Sequence, residues 1–157
     1  MNTEIENEEI FFDIGDQTAL VCVDQPNYQK LIVPQLIDLA YKVHLGLFEE
    51  DVLLKLATYS YNVVVVAEDF KGGSLGDNAI LQELGRRSGA LRREHFVVLL
   101  TQRWATNDAM SAFTLSVDQI INVSDLANFS PILRRSVAHH RELYLPFQET
   151  LRVGQSR

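Results

Sequence analysis

Four consecutive valines followed by an alanine, Val63–Ala67, constrain this chain more than any other stretch. Side chains branched at Cβ are stiff in a helix and pack well on a pleated surface, so the run reads as a strand. No polar residue alternates with the valines. A strand without alternation is buried on both faces, which is the habit of a parallel sheet covered by helices on each side. Phe96–Thr101 (FVVLLT) and Ala19–Val23 (ALVCV) have the same character, Val43–Leu47 (VHLGL) is weaker, and Gln119–Val123 (QIINV) is short but bounded by Asp118 and Ser124.

Helical spacing fills the gaps between these runs. Asn27–Ala40 carries Tyr28, Leu31, Ile32, Leu36 and Leu39 on one stripe, with Pro34 inside it as an expected kink or boundary. Glu49–Tyr59 places Val52, Leu53 and Leu56 together, and its three leading acids suit the positive end of a helix dipole. Asn78–Arg87 follows Asp77, a candidate cap. Thr106–Ser116 carries Ala109, Met110 and Phe113. Ser130–Pro131 reads as a cap and first helical position, leading into a stripe of Ile132, Leu133, Val137, His140 and Tyr144. Pro146 is expected to bend or end that helix, with Phe147–Val153 adding a turn or two. Strand and helix thus alternate five times, which implies an α/β fold: a doubly wound, five-stranded parallel sheet in three layers, α/β/α. Ligands of such sheets bind beyond the carboxyl ends of the strands, so chemistry is sought at Asp24–Gln25, Ala67–Glu68–Asp69, Thr101–Gln102 and Asn122–Val123.

Composition narrows the class. A chain of 157 residues with one cysteine is one domain without an internal disulfide, and it has no CxxC pair for zinc. It contains no apolar run of the roughly 18 residues a membrane span needs, and no signal-peptide pattern at its start. A reduced, cytoplasmic setting is the expectation. The net charge of −7 is uneven. Residues 1–16 hold six acids and no base, which reads as an acidic flexible leader. All four lysines precede position 72 and all ten arginines follow position 85, so the second half is basic. The leader is therefore expected to be either a solvated tail or a screen for the Arg-rich half.

With its five-fold β-α order, the stretch from Thr18 to about Tyr144 resembles a receiver domain of two-component response regulators, of the CheY-like, flavodoxin-like type. The division implied is residues 1–16 as leader, 17–145 as receiver-like domain and 146–157 as a C-terminal helical extension or tail. In receivers, two acids after the first strand bind Mg²⁺ and an aspartate ending the third strand accepts the phosphoryl group. A Ser or Thr after the fourth strand and a Lys after the fifth contact the phosphate. That allocation makes sense for a reaction catalysed by positioning and charge neutralisation. VCVDQPNY supplies Asp24 and replaces the second acid by Gln25. YNVVVVAEDFKGG aligns Ala67 with the acceptor, Thr101 matches the switch Ser/Thr, and SVDQIINVSDL puts Asn122 at the Lys and Gln119 at the switch aromatic.

Alanine offers no nucleophile, one acid alone makes a poor hard-cation site, and Asn122 brings no charge. The resemblance therefore implies a degenerate, non-enzymatic pseudo-receiver that needs no cofactor or metal and binds a signalling protein. In this reading Asp24 caps Asn27 or Tyr28, and Thr101 ends its strand. The interaction face would include Trp104, Asp108, Phe113, Arg134, Arg135, His139 and Arg141, with a possible homodimer through the fourth and fifth helices. The stretch HHRELYLPFQETL is a candidate contact of its own.

Three other readings stay open from sequence. Glu68 or Asp69 could join Asp24 to hold Mg²⁺ or accept phosphate. The loop KGGSLGDN (Lys71–Asn78) could cradle an anion in a small-ligand or nucleotide module, although it lacks both Gly-rich phosphate signatures. Arg86, Arg87, Arg92 and Arg93 could meet nucleic acid, against which stands an isoelectric point near 5.0. Neither nucleic acid nor membrane is the expected partner. His139 and His140 are adjacent and diverge on a helix, so they do not form a metal pair, and Cys22 reads as a small buried hydrophobe.

Overall fold

The computed structural model describes residues 11–72, 78–86 and 95–155, with side chains in the last helix described through residue 142. Five strands form one parallel sheet: β1 Gln17–Cys22, β2 Tyr41–Leu45, β3 Val63–Ala67, β4 Phe96–Thr101 and β5 Gln119–Asn122. Their order is β2-β1-β3-β4-β5. Among the described residues five α-helices connect and follow them: α1 Pro26–Asp38, α2 Glu49–Thr58, α3 Ala79–Arg86, α4 Ala109–Leu115 and α5 Phe129–Gln155. Short 3₁₀ turns cover Phe70–Gly72 and Val123–Asn128.

The valine run does what its chemistry requires. Val63 to Ala67 are all buried, paired with β1 through Val63–Val66 and with β4 through the whole strand. α1 packs with α5, and α2 with α3. These right-handed crossovers put the two helix pairs on opposite faces of the sheet. Ile32 and Leu36 of α1 and Leu133 of α5 are fully buried against one face; Val52 and Leu56 of α2 with Ile80 and Leu84 of α3 belong to the other. Gly46 follows β2 where a Cβ would collide with Val52 Cγ2, so glycine is what lets α2 close on the strand end. The strand order reverses beside β1, which places the topological crevice between the carboxyl ends of β1 and β3.

Several local expectations change. Pro34 lies within an α1 that runs on to Asp38; beside the missing N–H, the Gln35 side-chain amide donates to the Leu31 carbonyl at 2.8 Å. The same amide donates to the Leu126 carbonyl at 2.8 Å, and Gln35 Oε1 accepts from Ser130 N–H at 2.7 Å, so one side chain ties α1 to the start of α5. α3 is capped by Asn78, whose Oδ1 accepts from the N–H groups of Ile80 and Leu81, both at 3.1 Å. The expected cap, Asp77, lies outside the described residues, as do positions 73–77 of the Gly-rich loop, the SGAL connection and Arg87, Arg92 and Arg93. α4 begins at Ala109 rather than Thr106, and only Ala112 in it is buried. Pro146 does not end α5, which continues as helix to Gln155. The side chains of Tyr144 and of Phe147–Val153 lie outside the described set.

The leader is not wholly apart from the body. Residues 1–10 lie outside the described residues, but Phe12 stacks on His44 of β2 with ring centroids 4.1 Å apart and 16° between planes. Tyr59 and Tyr61 meet Phe12 edge-on, and His44 Nδ1 is 2.7 Å from the Tyr61 hydroxyl. Lys42 pairs with Asp16 at 2.9 Å and Asp13 at 3.6 Å. Of the leader's six acids, these two lie within the described residues, and both pair with Lys42 of β2.

Candidate functional site

The nominated side chains lie at the carboxyl ends of their strands, and several of them bond to neighbouring loops. Asp24, just past β1, does not cap α1. Pro26 opens that helix, and Gln25, its exposed N-cap residue, makes no side-chain capping bond. Asp24 Oδ2 instead accepts from the Lys71 backbone N–H at 3.0 Å. Lys71 is held at φ 55° and ψ 38°, a left-handed conformation uncommon for a side-chain-bearing residue, so Asp24 fastens the tight turn after β3.

β3 ends at Ala67, whose side chain is buried and whose carbonyl accepts from Asn78 Nδ2 at 3.2 Å. Because the strand stops there, Asp69 lies in a turn and is exposed. Glu68 goes the other way. Its Oε1 accepts from the Thr101 hydroxyl at 2.9 Å and from Gln102 N–H at 3.3 Å, and Oε2 lies 3.5 Å from Arg103 Nε. Asp24, Glu68 and Asp69 are therefore not drawn into one acidic centre. Among the described residues no group of three or more His, Cys, Asp or Glu is placed to hold a metal ion.

Thr101 is buried and doubly used: besides donating to Glu68, its oxygen accepts from Arg103 N–H at 2.9 Å. Asn122, at the position aligned with a lysine, donates from Nδ2 to the Trp104 carbonyl at 2.8 Å and accepts from Ser124 N–H at 3.0 Å. Its own N–H donates to Thr106 Oγ1 at 2.9 Å. The β4–α4 connection is thereby stitched to β5. Gln119, where an aromatic was the family pattern, is buried in an amide network: Nε2 donates to Asn107 Oδ1 at 2.6 Å and Oε1 accepts from the Ser136 hydroxyl at 2.9 Å. What remains open above β3 and β4 is a cleft of about 200 Å³ lined by Tyr28, Glu68, Asp69, Thr101, Gln102 and Arg103.

The residues of the nominated interaction face differ in exposure. Phe113 is 83% exposed, and Met110, three residues earlier and expected to pack inward, is 75% exposed. Arg134, Arg135, His139 and Arg141 are exposed along α5. Trp104 is half-buried with the Arg103 guanidinium 5.8 Å from its ring centre. Asp108 has a structural role: it is the N-cap of α4, accepting from Ser111 N–H at 3.0 Å. His140 stacks edge-on to Phe96 and lies 4.0 Å from Asp118, which itself accepts from Val97 N–H. Arg86 pairs within its own helix with Glu83 at 3.9 Å. Cys22 is fully buried, and burial with the nearby Asp51 pushes its thiol pKa up, so it is a poor nucleophile. No described helix is long and apolar enough to cross a membrane.

Sequence reasoning missed the use of Glu68, Asn78 and Gln35. For Asn78 a signal existed, since Asn is as good a cap as Asp and stands next to the first helical residue. Glu68 and Gln35 act over distances of 33 and 95 positions, which no local pattern encodes.

No protein-family model and no curated protein matches the chain. Solved structures do. A response regulator from Hahella chejuensis is 16% identical with a TM-score of 0.57, over 80% of this chain and 92% of that one. The signal receiver domain of a DNA-binding response regulator (merR) from Colwellia psychrerythraea 34H is 17% identical with a TM-score of 0.54, over 68% and 85%. A LuxR-family DNA-binding response regulator from Staphylococcus aureus is 17% identical with a TM-score of 0.54, over 76% and 98%. The chain has the flavodoxin-like receiver fold that these proteins share.

Proposed function

We propose that this chain is a non-catalytic pseudo-receiver, a regulatory module that binds a protein partner in bacterial-type signalling. One observation carries the reading: the strand end where a receiver presents its acceptor carboxylate holds the buried methyl group of Ala67. The two carboxylates nearest to it support the same view. Asp24 is bonded to the Lys71 turn and Glu68 to the β4–α4 connection, so each is already engaged within the chain. The apolar tips of Met110 and Phe113 with the arginines of α5 give a mixed surface suited to a protein. A homodimer through α4 and α5 belongs to the same proposal, and the setting proposed is cytoplasmic, without nucleic acid or membrane as partner.

Incubation with a small phosphodonor and Mg²⁺, followed by intact mass measurement, tests the reading. The expected spectrum shows no added phosphoryl group. A stoichiometric, base-labile adduct that disappears in Asp69→Ala or Glu68→Gln would overturn it.

A further inference from the structure

Three donors on consecutive residues converge on the Glu68 carboxylate: the Thr101 hydroxyl, the Gln102 backbone N–H and the Arg103 guanidinium. A hydroxyl, an amide and a cation clustered where a strand gives way to a loop form the donor set of an anion receptor. We propose that the start of the β4–α4 connection is such a receptor, that its anion is the chain's own Glu68, and that this internal occupant fixes the connection whatever free carboxylate or phosphate surrounds the protein.

The Glu68 side chain is only 14% exposed, so its bonds escape most of the screening that weakens surface pairs. Arg103 is 62% exposed and is the weakest arm; Thr101 and Gln102 carry the attachment. A tethered carboxylate also has a local concentration of millimolar order or above, which free anions at lower concentration do not displace. From Glu68 the constraint passes onward. Thr101 Oγ1 accepts from Arg103 N–H, Asn122 holds the Trp104 carbonyl, and Thr106 accepts from Asn122 N–H while donating to Asp125 at 2.5 Å. Glu68 thus holds the three residues directly before Trp104, whose carbonyl is held from the other side by Asn122. This deepens the pseudo-receiver reading and rests on it only for the meaning of a fixed loop. The phosphodonor experiment reads mass and the following one reads loop conformation, so the two ideas fail separately.

Trp104 is the chain's only tryptophan, so its emission reports on the connection. In the full wild-type chain, formate, acetate or phosphate at constant ionic strength should leave Trp104 emission unchanged. Glu68→Ala should shift the emission and speed hydrogen exchange at the Gln102 amide roughly tenfold or more, the size expected for losing a bond to a charged acceptor. Added formate or acetate should restore both saturably, and chloride should not. Wild-type emission that responds saturably to these anions would overturn the proposal. So would Glu68→Ala with unchanged emission and exchange, or with changes that no small anion reverses. If Glu68→Ala does not fold, Glu68→Gln carries the test: faster exchange at Gln102 is expected, and unchanged exchange sinks the idea.

Discussion

The carboxyl end of β3 and the outer face of α4 are built on opposite plans. At the strand end, polar side chains are abundant and their hydrogen-bonding capacity is used within the chain: Asp24 by Lys71, Glu68 by Thr101 and Gln102, Asn78 by Ala67 and the first turn of α3. On α4, apolar side chains are presented with nothing described against them, Met110 and Phe113 each at least three-quarters exposed. Buried polar groups that bond internally stabilise and position; exposed apolar groups three residues apart on a short helix gain only when something covers them. One fold thus carries both plans: polar residues that fasten the chain to itself at the strand end, and apolar residues left open on a neighbouring helix.

Changes on the α4 face separate the two plans most strongly. Replacing Met110 and Phe113 together by serine should weaken partner binding or self-association about tenfold or more, as loss of central apolar anchors does, with the thermal midpoint nearly unchanged. Concentration-dependent sedimentation and calorimetry check both halves; unfolding at lower temperature with unaltered association would break the contrast. Thr101→Val comes next. It leaves Glu68 and the Arg103 N–H short of a partner in a buried place and should lower stability by about 1–3 kcal/mol. Denaturant titration measures this, and a neutral result would mean that the fasteners at the strand end matter little. Asn78→Ala removes a helix cap and should cost about 1 kcal/mol. The smallest effect concerns Asp16, whose pKa is lowered by the hydrogen bond from Asp13 N–H and by Lys42. A carboxyl lowered in the folded state contributes its stabilisation above its unfolded value and loses it as pH falls through the folded one. Hydrogen exchange at the Asp13 amide should therefore quicken as pH drops through that acidic window, after correction for intrinsic rates, and Asp16→Asn should remove that dependence.

The fold was readable because its signal is local. The continuous runs at β1, β3 and β4 announce strands buried on both faces, and alternation with helical stripes then leaves few topologies. The weak VHLGL run predicts a strand two residues late, since Tyr41 and Lys42 belong to β2 and Gly46 and Leu47 do not. Apolar spacing misled at α4, where Met110 and Phe113 form a stripe without a core behind it. The candidate site was readable by position and not by bonding. Asp24, Gln25, Ala67, Thr101 and Asn122 lie at the carboxyl ends of β1, β3, β4 and β5, and of these Ala67 and Thr101 line the cleft. Alignment with strand ends did not foresee that Asp24 would hold Lys71, because that bond joins loops 47 positions apart. Local capping preference suggested a nearer partner, and tertiary packing supplied a distant one.

The Phe12 contact has a consequence for solubility. β2 is an outer strand, and outer strands with uncovered apolar surroundings invite pairing with other chains. Phe12 covers the ring of His44, while Asp13 and Asp16 cluster charge around Lys42 on that strand. Cutting the chain before Thr18 would strip this cover and leave the aromatic floor of His44, Tyr59 and Tyr61 open to water. A chain trimmed in this way is expected to precipitate at concentrations that the full one tolerates, and equal solubility would show that Phe12, Asp13 and Asp16 do not protect the β2 edge.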